Sequence, residues 1–158
     1  MIRKNPAIRL GYKPELLEEH EEDCVALEKK AFELLEKNKW EEAIKAWSRL
    51  KEKLKNIEWA DFYIALCQTR LGQIEEAEDI FDILINESKN KAVVYGSHSM
   101  RAELLLDNDG DLDNALDDIE KSIEIMKEYE PPEDVEKDLQ EARKLRKEIL
   151  LRIKQKDN

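Results

Sequence analysis

Proline is nearly missing from the body of this sequence. Pro6, Pro14, Pro131 and Pro132 are its four prolines, so none interrupts residues 15–130. A proline inside a helix costs about 3 kcal/mol, and its absence leaves that whole stretch free to be helical. Glycine is as scarce, with four residues. Cys24 and Cys67 are the only cysteines, each inside a helical pattern, which offers neither a disulfide framework nor a metal-spaced pair and fits a reducing compartment. No segment approaches the roughly 18 apolar residues of a membrane span, and the N-terminus lacks an unbroken apolar core of the secretory type. The expectation is a soluble, cytoplasmic protein with no membrane role. Alternating apolar and polar runs are missing too, which argues against sheet.

Positive charge is the other shortage. A net charge of -11 disfavours nucleic acid, whose affinity comes largely from Lys and Arg neutralising phosphates, and favours basic or apolar partners. The deficit is uneven. Arg3, Lys4, Arg9 and Lys13 form a basic N-terminus with no acid before Glu15, whereas residues 73–130 are dominated by Asp and Glu.

What the chain does have is a rhyme. Ala31, Asn38, Trp40, Glu41, Glu42, Ala43, Trp47 and Leu50 return 34 positions later as Ala65, Gly72, Ile74, Glu75, Glu76, Ala77, Phe81 and Leu84. A shared offset across small, turn-forming, acidic and large apolar positions means one supersecondary unit used twice, and a period of this size points to a helical solenoid. In 158 residues, 41% hydrophobic and 41% charged, thin helical layers around one core are the natural packing.

The pattern divides the chain into a basic N-terminal arm (1–13), helical repeats (14–130, in units of about 24–57, 58–91 and 92–130), and a capping helix with a tail (131–158). Pro14 suits a first helical position, and Leu17, His20, Cys24, Leu27, Ala31 and Leu34 predict one apolar stripe running to about Glu36. Asn38 predicts a left-handed helix end, after which Lys39 to Leu54 complete the first pair. The second pair is Glu58 to Leu71, a Gly72 turn, and Ile74 to Asn86. A third follows Ala102, Leu105, Gly110, Leu112, Ala115, Ile119 and Ile123, with a lengthened inter-repeat loop near Glu87 to Val93 and a lengthened inner turn. After Pro131 and Pro132, Val135, Leu139, Ala142, Leu145, Ile149 and Ile153 line one side of a helix that is otherwise Lys, Arg and Glu, as the end of a solenoid requires.

These residues resemble the tetratricopeptide repeat (TPR) family over roughly residues 24–127. The resemblance implies an all-α solenoid of three antiparallel helix pairs plus a C-terminal capping helix, and a non-enzymatic module that binds a peptide or helix of a partner protein on its concave face. The family's closing proline is absent, Asp61 and His98 stand where a large apolar residue is common, and Ser122 replaces a small apolar one. Trp59, Phe62 and Leu66, with Val25 and Phe32, are the expected peptide-binding groove; equally, the second repeat's first helix could be buried on both sides. The chaperone-tail clamp of some family members is not carried, because the corresponding positions are Glu28, Phe32, Phe62 and Leu66.

Other chemistry finds little support. Asp107, Asp109, Asp111 and Asp113 resemble the start of an EF-hand calcium loop, but Leu112 stands where that loop needs glycine and Asp118 where it needs Glu, so a helix turn is the plainer reading beside a weak calcium site. His20 on an apolar stripe suits a core position. No nucleophile, phosphate loop or metal-spaced cluster appears, so no catalytic residue, metal or cofactor is expected. Arg143, Lys144, Arg146, Lys147, Arg152 and Lys154 suit a solvated helix face at its C-terminal end. A small secretion-type chaperone for a hydrophobic client is an alternative suggested by length, acidity and three repeats. Homo-oligomers through the end helices or the N-terminal arm are a further expectation.

Overall fold

A computed structural model describes residues 22–54 and 58–157. The expected basic arm, the helix start at Pro14 and His20 lie outside the described residues. Those described form seven α-helices: α1 (Glu22–Glu36), α2 (Trp40–Lys53), α3 (Glu58–Arg70), α4 (Ile74–Glu87), α5 (Lys91–Asp107), α6 (Leu112–Lys127) and α7 (Glu136–Lys156), with a short 3-10 turn at Pro132–Val135 before the last. No strand occurs among them. The protein is all-α, and its helix boundaries follow the apolar periodicity closely.

The turns explain why the helices come in pairs. Asn38 (φ 59°) and Gly72 (φ 78°) are left-handed, and the next residue in each case reaches back across the helix end: Lys39 N-H donates to Leu34 O at 2.9 Å, and Gln73 N-H to Gln68 O at 2.9 Å. This pattern satisfies carbonyls that a helix end otherwise leaves open. The third turn corrects the sequence expectation. Its left-handed residue is Asp109 (φ 52°), and Gly110 follows it, donating to Leu105 O at 2.8 Å. Crowding favours glycine at 110, because a Cβ would lie 3.2 Å from the Leu105 carbonyl oxygen and would displace Leu105 Cδ2, 2.8 Å away.

The third repeat's extra length is also placed differently from the expected long loop. Ser88–Asn90 is a short link, and Asn90 caps α5 by accepting from Ala92 N-H at 3.0 Å. The insertion instead lengthens the helix: α5 has 17 residues where α3 has 13. Extending a helix satisfies each added peptide group internally, which a longer loop would leave to solvent.

The chain divides within α4 into two compact units, residues 1–80 and 81–158. In the first, α1 packs on α2 and α2 on α3. Its centre is aromatic. Phe32 meets Trp47 edge to face with centroids 5.0 Å apart, Trp47 stacks on Tyr63 at 4.8 Å, and Phe62 and Trp59 extend the cluster at 5.3 Å and 6.1 Å from Tyr63. Pairs of this kind add about 0.5–1.5 kcal/mol each beyond area burial. Ala31, Ala43 and Ala65 are fully buried, small enough to let helix axes approach to about 8–10 Å.

In the second unit α5 packs on α6 and α6 on α7. Asp111 caps α6, accepting from the N-H groups of Asp113 and Asn114 at 3.0 and 3.1 Å. Of the stripe predicted on the last helix, Val135, Ala142 and Ile149 are buried, while Leu139, Leu145 and Ile153 are half-buried.

Candidate functional site

The five expected groove residues fall in two environments. Val25 is 47% exposed, but Phe32, Phe62 and Leu66 have no exposed surface and Trp59 only 3%. Phe32, Trp59 and Phe62 are members of the aromatic cluster described above. The surplus apolar surface of α3 is therefore consumed in packing: Trp59, Ala60, Phe62, Tyr63, Ala65, Leu66 and Cys67 are all buried, and a helix apolar on several sides is one covered on several sides. As a solvent-facing surface, the expected groove reduces to Val25.

An open groove lies elsewhere in the same unit. Leu27, Lys30 and Leu34 of α1 and Glu42, Lys45, Ala46 and Arg49 of α2 line a depression of about 300 Å³. The spacings of three and four residues on each helix set these side chains along one shared seam. Leu27 and Leu34 are half-buried, and Lys30, Lys45, Arg49 and Glu42 are exposed. Their helical spacing alone places Leu27 and Leu34 on the core stripe; nothing in a one-dimensional pattern shows that the described residues leave this seam open.

The second unit contains a buried polar network that replaces expected apolar packing. His98 Nδ1 and Asp118 Oδ1 are 2.8 Å apart, both nearly inaccessible. Arg101 donates through Nε and Nη2 to the two oxygens of Asp118 at 2.8 and 2.7 Å, and reaches Asp82 with Nη1. Burial alone would raise the Asp118 carboxyl; the hydrogen bonds from His98 and Arg101 and the guanidinium charge outweigh it and hold it below the usual carboxylate range. Beside this, Ser122 donates to Tyr95 O at 2.9 Å and lies 2.6 Å from Ser99 Oγ. The two polar departures noted in the sequence, His98 and Ser122, are thus both absorbed by hydrogen bonds between α5 and α6. Asp118 stands out in the sequence only as a position of the calcium-like loop, and its pairing with His98, like that of Ser99 with Ser122, joins residues 20 and 23 apart that only the hairpin brings together.

Tyr95 and Asp138 make a second link, α5 to α7, with the hydroxyl donating at 3.1 Å. Burial raises Asp138 to about 6, against the lowering effect of that hydrogen bond. The Asp-rich turn is occupied by structural tasks: Asp111 caps α6, Asn108 Nδ2 donates to Leu104 O at 2.8 Å, and Asp109 faces Arg152 at 3.6 Å. Among the described residues no three His, Cys, Asp or Glu side chains are grouped so as to hold a metal.

Helices joined by tight left-handed turns, with alanines at their close approaches and a large apolar residue in each second helix, define a helical-hairpin repeat protein. Residues 59–90, the α3–α4 hairpin, match the family model of the tetratricopeptide repeat. That hairpin is similar to a tetratricopeptide repeat, a family of protein-protein interaction modules. No match was found among curated proteins or solved structures. No helix among the described residues is long and apolar enough to cross a membrane.

Proposed function

We propose that this chain is a non-enzymatic interaction module that docks a peptide or helix of a partner protein. The repeat match at residues 59–90 carries the reading, and the accessible apolar positions of the first unit, Val25 and the Leu27/Leu34 seam, supply surface for it. The buried polar groups support the same conclusion: His98, Asp118 and Arg101 satisfy one another, as members of a structural network do, and leave their chemistry committed to packing.

Affinity purification of the tagged full chain, quantified by mass spectrometry against Val25→Glu and Leu34→Glu variants, tests the reading. The expected result is a partner retained by the parent chain and lost from at least one variant that keeps its helical circular dichroism. Equal recovery from parent and both variants, or no enriched partner, overturns it.

A further inference from the structure

The positions that line the groove between α1 and α2 have equivalents 34 residues on, and the charged equivalents are all acidic: Asp61, Glu76 and Asp79. Asp61 of α3 is the residue 34 positions after Leu27, and it takes the Lys51 ammonium of the preceding helix α2 at 2.6 Å. α2 lies against α3. In the first hairpin Leu27, Leu34 and Ala46 are the apolar residues lining the depression of about 300 Å³.

The groove's own charges are mostly positive. Where α3 offers the acid Asp61 to a lysine, the groove offers Lys30, Lys45 and Arg49 and a single carboxylate, Glu42. This is a local excess of cations in a chain of net charge -11, and these side chains are exposed. The N-terminal arm is the wrong sign to fill it, with Arg3, Lys4, Arg9 and Lys13 and no acid in residues 1–13. We infer that this groove receives an acidic amphipathic helix of a partner protein, laid along the seam of α1 and α2. Its apolar side chains meet Leu27 and Leu34, which lie two helical turns apart, about 10 Å, and its carboxylates meet the three cations. The inference rests on the interaction-module reading and names the partner's chemistry.

The probe is a fluorescein-labelled peptide of about 16 residues with leucines at helical spacing of three and four and glutamates on either side, titrated with the full chain by fluorescence anisotropy. Binding in the micromolar range is expected, weakening at least tenfold between about 0.05 and 0.5 M salt and at least tenfold in the Lys45→Glu/Arg49→Glu double variant, whose thermal melt stays that of the parent. A peptide with lysines in place of the glutamates should bind the double variant and not the parent. Equal affinity for the two peptides, or an acidic-peptide affinity unchanged in the double variant, overturns the inference. So does a tenfold gain in affinity on deleting residues 1–13, which would make the arm the occupant, or a dimer in sedimentation velocity that the double variant dissociates, which would make it a second copy. If the purified partner is retained by Lys45→Glu/Arg49→Glu but lost by Val25→Glu, the groove assignment fails and the interaction reading stands. If no partner is enriched, that reading fails while the peptide titration still decides the groove.

Discussion

Asp118 is shared between two donors from the facing helix: His98 reaches its Oδ1 at 2.8 Å, and Arg101 closes both oxygens from the other side. Removing the carboxylate leaves the buried imidazole without this acceptor and the half-buried guanidinium with Asp82 in place of both carboxylates. Asp118→Ala should lower stability by about 3–5 kcal/mol, the range for breaking one side of a buried ion pair. Urea unfolding followed by circular dichroism checks this; a loss under about 1 kcal/mol would show that the network contributes no more than a surface pair.

Phe62 is fully buried against Trp59 and Tyr63. Phe62→Ala should therefore act on the fold, costing about 3–5 kcal/mol, with the midpoint of urea unfolding as the measure. A variant as stable as the parent would mean that the ring does not contribute to the core.

Much of this architecture was legible in the chain's own periodicity. Ala31/Ala65, Trp47/Phe81 and the turn residues Asn38 and Gly72 place the first two hairpins, because helical spacing and left-handed turns are local properties. The site was less legible. Phe62 and Leu66 look alike whether a helix faces a groove or a neighbour, and only packing distinguishes the two. Leu27 and Leu34 present the converse, reading as core while lining an open seam. His98 and Ser122 stood out as misplaced polar residues, but Asp118 and Tyr95, which satisfy them, are found only through the hairpin.

Asp138, raised to about 6 by burial, makes stability depend on pH. Its ordinary value is about 3.9, so between roughly pH 4 and 6 the folded chain holds the proton more tightly than the unfolded one, and this group's contribution to stability falls as pH rises through that window. Asp138→Asn keeps an acceptor for the Tyr95 hydroxyl and carries no charge. Relative to the parent it should gain about 1 kcal/mol at pH 7.5 over pH 4.5, after discounting for partial solvent screening. Paired urea titrations at the two pH values test the sign, and an equal difference at both would remove the assignment.

Cys67 is fully buried and its thiol is pushed up to about 12 by desolvation, with Arg70 opposing weakly. At pH 8 its thiolate fraction is on the order of 10⁻⁴, and the thiolate is the reactive form. A chromogenic disulfide reagent should leave Cys67 untouched in the native chain and modify it once urea unfolds the protein. Rapid native labelling, located by mass spectrometry in a Cys24→Ser background, would contradict that burial.

The lengthened α5 sets a rule for how this scaffold can change. Its small residue Ala102 follows Ala65 by 37 positions, and Ala115 follows Ala77 by 38, departures of three and four from the basic period. Each is close to the 3.6 residues of a helical turn, so the inward face stays inward. An addition of two would rotate it roughly halfway round and carry Ala102 and Leu106 into water. Growth of these hairpins is in effect quantised by the helix, and lineages of this chain should differ by whole turns wherever their helices differ in length.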